Sequence, residues 1–512
     1  MDDTSHGRNT VVGASCLAST DGERSRKNPR ESRVDRISEL PDLVLVHILS
    51  FLPMDAAIRT GVLSKRFAYK WASTPNLVFD QDSEWEIDDF ITFVNRALLL
   101  HDPNCKVQKF TIYMDCMDQV IENSLQEDCV TLWLRFATRK GVEKLNLGFN
   151  DEEDPLQLWE SRYDSYRYLL PQFIFRHSSF RKLATRFCNF VTYGVVSWAW
   201  LKSLSIGYAE LNEETIRNIL MGSPALECLE FHRCHGFARI NICSESLKKL
   251  SILEPWAPND AEGETVLEVS APNIRSLELS GNWEKMCRLL DMSSLVNAKL
   301  DIQMMHQDRN FQYFSEDYSN MLREILKQLS HVENLTVGTW CLEVLSVLEM
   351  KSMPSPLSKH RYLILNTLPK KWDLPGIASL LKSSPDLEKL HIDVNPLNVL
   401  KFWEHQVFNN YYKYGDDHGE SFWESEEKSF KCLLQNLKII KIVGFYPGYC
   451  DIQFAIAFIE FLLKNAQVLE KMVINVRKVK RQTSYAAQEL PVVQKLLSFT
   501  RASPRAAVLF SK

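Results

Sequence analysis

The sequence predicts an α/β chain in which a short all-α module precedes a curved solenoid of strand–helix repeats. Three observations predict it. One apolar spacing recurs along most of the chain, several of its copies follow segments of helical periodicity, and one stretch near the N-terminus is apolar almost all round. A length of 512 residues also exceeds what one compact core accommodates, unless that core is repetitive.

Taken in order, residues 1–33 are rich in Ser, Thr, Gly, Asn and Arg and nearly devoid of large apolar side chains. Such a segment cannot offset the entropy of ordering and is expected to be a disordered tail. Arg24, Arg26, Lys27, Arg30 and Arg33 are either a nuclear localisation patch or a solvated basic tail, and the second is the simpler reading.

Residues 34–80 form the helical module. Asp42 to Leu52 holds eight apolar residues in eleven, where a surface helix needs only one apolar stripe. Pro53-Met54-Asp55 ends that helix, and Asp55 is placed to N-cap a second one carrying Ile58, Val62 and Leu63. A third helix from about Ser64 is expected to hold Phe67 and Trp71 on one side. Three short helices make too small a core to hide this much apolar surface. One face must therefore be covered by the neighbouring repeats and the other by a partner. A mere solenoid cap explains less, because a cap needs a polar outer face.

The repeats occupy residues 81–512. Apolar residues recur at i, i+3 and i+5, as in Val107-x-x-Phe110-x-Ile112, Val142-x-x-Leu145-x-Leu147 and Leu201-x-x-Leu204-x-Ile206. The same spacing begins at Leu226, Leu247, Ile274, Val332, Leu387, Leu437 and Leu469, with weaker copies at Phe180, Leu295 and His360. About half of the intervals fall in the range of roughly 20–29 residues that marks leucine-rich repeats. That consensus continues to Asn or Cys at i+8, where Asn150, Cys188, Cys234, Asn282 and Asn395 stand. A short polar or thiol side chain there can bond the backbone as it leaves the strand. Glu213 to Met221, Tyr318 to Leu329, Gly376 to Leu381 and Ile452 to Lys464 have helical spacing. Helix, short turn and strand then make one unit, whose apolar face stays bare until a neighbour stacks on it.

At this point a family resemblance becomes specific. Asp35-Arg36-Ile37-Ser38-Glu39-Leu40-Pro41, Ile48-Leu49-Ser50-Phe51-Leu52-Pro53 and Thr60-Gly61-Val62-Leu63-Ser64-Lys65-Arg66 resemble the F-box of plant F-box proteins. The family usually has Trp where this chain has Phe67. The resemblance implies that Leu40, Pro41, Ile48, Leu49, Leu52, Val62, Leu63, Ser64 and Arg66 form or support the surface for a Skp-type adaptor. Through that adaptor it implies a cullin and a RING subunit, as in SCF ubiquitin ligases. Residues 81–356 match leucine-rich repeats only as a class. Residues 357–512 resemble the FBD module through Leu380-Leu381-Lys382-Ser383-Ser384-Pro385-Asp386-Leu387-Glu388, Leu437 to Phe445 and Arg501-Ala502-Ser503-Pro504-Arg505, and are read as more solenoid.

Other functions find little support. A net charge of −5 offers no basic excess for general nucleic-acid binding. No apolar run is long enough to span a membrane, and no signal-like segment is visible, so cytoplasm, nucleus or both is expected. The twelve cysteines form no C-x-x-C pair, which suits buried thiols in a reducing compartment. No catalytic or nucleotide-binding motif occurs, so no enzyme activity, cofactor or metal is expected. Cys228, His232, Cys234 and His235 suggest a metal site only superficially, since Cys234 fills a repeat position. Asp151 to Asp154 is read as a solvated acidic loop. The reading is a substrate receptor, with a repeat scaffold acting without a ligase as the alternative. Trp403, Tyr411, Tyr412 and Trp423, aromatics in the longest interval between repeats, are expected either to contact the target or to tack the inserted segment onto the solenoid, with equal weight.

Overall fold

A computed structural model describes residues 37–511, apart from 38, 82–84, 115–123, 150–166, 193, 256–265, 284, 305–315, 395–421, 424–429, 447–451 and 478–485. The expected N-terminal tail and the acidic loop Asp151 to Asp154 lie outside the described residues.

The i, i+3, i+5 spacing puts the last two apolar residues on one side of a short strand and the first in the turn before it. Stacking such strands gives one parallel sheet of fifteen strands in sequence order among the described residues. It begins with β1 (Asn76–Asp80), β2 (Lys109–Met114) and β3 (Lys144–Phe149) and ends with Ala507–Ser511. Register follows the repeat: Leu77, Phe110, Leu145, Leu183, Leu204, Leu229, Leu250 and Leu277 are successive partners. Two residues on, Phe79, Ile112, Leu147, Thr185, Ile206, Phe231, Ile252 and Leu279 make the parallel column. These columns are buried throughout, and each large side chain in them contributes about 1.5–3 kcal/mol of transfer free energy.

The thiol positions also behave as the spacing requires. Cys234 Sγ donates to Ile206 O at 3.3 Å and Cys188 Sγ to Arg186 O at 3.6 Å. Asn150 and Asn395 lie outside the described residues. Where the chain leaves the strand, Phe187, Tyr208, Arg233 and Glu254 occupy the same rung of four repeats with φ between 50° and 56°. All four bond the next rung from their own N–H: Phe187 to Gly207 O, Tyr208 to His232 O, Arg233 to Leu253 O and Glu254 to Ser280 O. At the next rung stands Gly281 with φ 83°, and the Glu254 side chain lies against it, 2.1 Å from where a Cβ would sit.

Helices cover the core face. The expected ones are present as Glu213–Gly222, Glu316–Gln328, Leu374–Ser383 and Ile452–Asn465. Asn212 starts the first by accepting from the Thr215 N–H at 2.7 Å. Further helices include α3 (Ile87–Leu100), α4 (Ser124–Arg139), Thr339–Met350 and Ala486–Ser498. The segment with FBD resemblance adds its strands Tyr362–Asn366, Lys389–Asp393, Ile439–Phe445, Lys471–Val476 and Ala507–Ser511 to the same sheet.

Two expectations need correcting. The sheet begins at Asn76, inside the segment expected to belong wholly to the helical module. Trp423 is no exposed anchor: it is 3% exposed and stacks on Phe458 at 5.0 Å and Phe461 at 4.4 Å. An indole between two phenylalanine rings of a covered helix gains more from burial than a loop tip offers it. Trp403, Tyr411 and Tyr412 lie outside the described residues.

Candidate functional site: an uncovered helical face

The N-terminal module begins at Pro41, whose carbonyl accepts the first helical N–H groups, those of Val44 and Leu45, at 2.9 and 3.1 Å. Its fixed φ of −59° suits that position and its missing N–H is no loss there. Helix α1 (Asp42–Leu49) then buries only Leu45 and Leu49, one turn apart. Pro53 begins α2 (Met54–Arg59) in the same way, accepting from the Ala57 N–H at 2.9 Å. Asp55 is therefore not the N-cap expected for it; it sits in the first turn and pairs with Arg59 at 3.2 Å.

The expected second helix stops at Arg59, short of Val62 and Leu63, and the expected third is instead a chain of tighter turns. Thr60–Val62 and Lys70–Ser73 are 3₁₀ turns, joined by bonds from Phe67 N–H to Ser64 O and Lys70 N–H to Phe67 O. Thr60, Gly61 and Val62 are weak helix formers, and the Thr60 hydroxyl donates to Ala57 O at 2.6 Å, competing with a regular ladder. Phe67 and Trp71 are nevertheless buried on one side, as their spacing suggests.

Arg66 locks this arrangement. Its guanidinium donates to Leu40 O and to Asp42 Oδ1 at 2.8 and 3.2 Å, while Lys70 pairs with the other carboxylate oxygen. Hydrogen bonds from Lys70 and Arg66 hold the Asp42 carboxyl below its ordinary pKa. The first turn of α1 is thus tied to the end of the module. On the other side Asn76 donates to Ser50 O at 3.1 Å, and Leu49, Met54, Ala57 and Trp71 run into one core with Leu77 and Phe79 of β1.

What remains is a face that nothing in the described chain covers. Val62 is 88% exposed, Leu43 84%, Phe51 72% and Leu63 70%, and Ile48, Val44 and Pro41 are exposed as well. The sequence-based candidates divide accordingly. Pro41, Ile48, Val62 and Leu63 lie on the surface; Leu40, Leu52, Ser64 and Arg66 are partly covered; Leu49 is 2% exposed and supports from beneath. Leu43, Phe51 and exposed Tyr69 were not among the candidates. The signal for the first two was the all-round apolar character of Asp42 to Leu52, since a recurring motif does not separate supporting from surface positions. Phe67, the departure from the usual Trp, lies in the module's interior and away from this face.

The cysteine–histidine cluster makes no metal site among the described residues. The buried Cys234 thiol is pushed up to about 12 by desolvation. His235, desolvated and beside Arg167 and Lys285, falls to about 4, and Arg167 lies 3.1 Å from its Nε2. No described helix is long and apolar enough to cross a membrane.

Comparison with known proteins agrees with this anatomy. Residues 37–79 match the F-box domain. Residues 101–504 match the family described as At1g61320/AtMIF1, LRR domain, which spans most of the solenoid and the segment with FBD resemblance. The F-box/LRR-repeat protein At3g03360 of Arabidopsis thaliana is 33% identical over 365 residues, covering 70% of this chain and 70% of the relative. The F-box/LRR-repeat protein At5g02910 of the same plant is 28% identical over 447 residues, covering 86% of this chain and 88% of the relative. A helical module bare on one face, fused to a leucine-rich sheet that these matches span, makes this chain a member of the F-box/LRR-repeat protein family.

Proposed function

We propose that the chain is the substrate-recognition subunit of an SCF-type ubiquitin ligase. Its F-box docks a Skp-type adaptor, and through it a cullin and a RING subunit, while the repeats and their FBD-like continuation hold a target protein. The chain then supplies no chemical group. It raises the local concentration of target lysines beside the charged conjugating enzyme, so that a bimolecular encounter becomes a tethered one.

The observation that carries the reading is the uncovered face of Leu43, Ile48, Phe51, Val62 and Leu63 on a module whose opposite side is already buried against β1. Several large exposed apolar side chains on one small module mark an interaction site. Phe67, which stands where the family usually has Trp, packs inside the module rather than on its surface. Val62→Asp with Leu63→Asp tests the proposal. Both positions are solvent-exposed, so the melting temperature should hold while co-purification with a Skp-type adaptor is lost. Undiminished adaptor capture by this variant would sink the reading.

A further inference from the structure

The face of the sheet opposite the core is lined by the residues that alternate with the buried columns, and in the first repeats it is cationic. Lys109, Lys144 and Lys182 are direct partners on three adjacent strands, β2, β3 and Lys182–Arg186, so three ammonium groups share one column. No ion pair neutralises any of them among the described residues. The carboxylate beside them, Glu143, is already held by Lys106 at 2.9 Å and Arg181 at 3.5 Å.

Like charges directly opposite on neighbouring strands destabilise a sheet. Further along, the same chain avoids this. Ser203 and Cys228 continue the column after Lys182, and Lys249 and Lys299 both pair with Glu278, at 3.1 and 3.0 Å. The unneutralised column is thus local to the first repeats. Beside it, in register across four strands, stand the short side chains of Thr111, which is buried, and of Asn146, Ala184 and Ser205, which are half-buried. The far wall begins at Tyr113, whose ring lies over Gly148, 2.6 Å from where a Cβ would stand. A glycine there is what lets the ring lie flat on the sheet.

We propose that this groove, walled by Lys109, Lys144 and Lys182, docks an extended segment of the target protein rich in Asp and Glu. The proposal rests on the receptor reading and supplies the chemistry of its target. A shallow floor between a cationic column and an aromatic wall fits a single extended backbone with acidic side chains. A polyphosphate chain needs cations along its whole length, and a net charge of −5 works against it.

Fluorescence anisotropy of the full chain tests this with three probes: a labelled peptide of alternating Glu and Gly, a Lys–Gly peptide of equal length, and single-stranded DNA of equal charge to the first. The Glu peptide should bind best, and more weakly as salt is raised. Lys109→Thr with Lys144→Thr and Lys182→Thr should weaken it by about tenfold, given three lost charge contacts. The melting temperature of that variant should stay level or rise, because the repulsion is gone. Lys389→Thr with Lys471→Thr, elsewhere on the same face, should change nothing. Absence of Glu-peptide binding, equal binding by the triple variant, equal affinity for the Lys peptide or tighter binding of DNA would each overturn the proposal. Adaptor co-purification run in parallel separates the two ideas: its loss from the wild-type chain with peptide binding intact would sink the ligase reading and leave the groove standing.

Discussion

Within the sheet, each buried side chain of one repeat meets its equivalent in the next, so Leu204 packs on Leu229 and Leu229 on Leu250 along one column. In the module of residues 42–73 the same kinds of side chain are left in solvent: α1 buries Leu45 and Leu49 and exposes Leu43, Val44 and Ile48. A repeat protein satisfies its apolar surface from its own sequence, by adding another copy. A module of two short helices and two 3₁₀ turns has no further copy to add. The contrast teaches that strands within the sheet cover one another, whereas the helical module leaves large apolar side chains that no described part of the chain covers.

The largest expected effect lies in the sheet. Phe231 sits in the middle of a buried column, with its ring 5.6 Å from that of Phe237. Phe231→Ala should lower stability by about 3–5 kcal/mol in urea unfolding, since the removed ring leaves a cavity that stacked strands cannot close. A loss below about 1 kcal/mol would mean that the column is not the tight stack described.

Next in size is Trp423→Ala, at about 3 kcal/mol for the loss of a ring held between Phe458 and Phe461. A solvent-exposed anchor would behave oppositely, losing target capture with no change in melting temperature. This variant therefore decides which half of the comparison Trp423 belongs to.

A smaller effect follows from the histidines, whose perturbed members lie beyond the module. His360 fills a buried repeat position and meets Val332 O at 2.7 Å through Nδ1, and burial lowers its pKa. Burial likewise lowers His101, which meets Thr74 O at 3.1 Å. With the folded value below the unfolded one, near 6.5, the unfolded state binds more protons between the two. Stability should therefore be full above about pH 6.5 and fall as the pH drops through that window towards the folded values. Urea midpoints at neutral and mildly acidic pH would measure the fall, and His360→Phe should lessen it. A midpoint that does not move would contradict the burial of these rings.

Most of the solenoid was legible because its signal is periodic and its physical cause is local. Val107, Phe110 and Ile112 are fully buried, as their spacing requires, and Cys188 and Cys234 bond the backbone at i+8. The two ends escaped for one reason. In β1 the position before Leu77 and Phe79 is held by Thr74, and in the last strand the position before Val508 and Phe510 by Arg505, so the first letter of the spacing is polar. Arg505 is exposed at the sheet's end, whereas Thr74 is buried and its hydroxyl donates to Trp71 O at 2.8 Å. Helix Thr339–Met350 escaped for the opposite reason: Trp340 to Leu348 are buried without interruption, which leaves no polar stripe to set a period. In the candidate site, sequence pointed to the right module but could not sort its residues by exposure. Leu49 and Ile48 are neighbours in one motif, and only the packing of α1 against the Lys70–Ser73 turn and the shared core tells support from surface.

The smallest expected change in stability belongs to the residues the motif left out, Leu43 and Phe51. Neither touches the shared core strongly: Leu43 is among the most exposed apolar residues of the chain, and Phe51 meets only the edge of His47, at 4.9 Å between ring centres. Replacing both by Ser should shift unfolding by no more than about 0.5 kcal/mol, the usual range for surface positions. In an isolated module that would be the end of the matter. If α1 is instead half of an interface, the same two changes remove large apolar contacts from its centre and should sharply reduce co-purification with a Skp-type adaptor. The pairing of the two readouts carries the test. Unchanged adaptor capture would show that the face is exposed without being used. A clear drop in melting temperature would show that α1 is packed more deeply against its own chain than the uncovered face suggests, and the contrast between module and solenoid would then be one of degree.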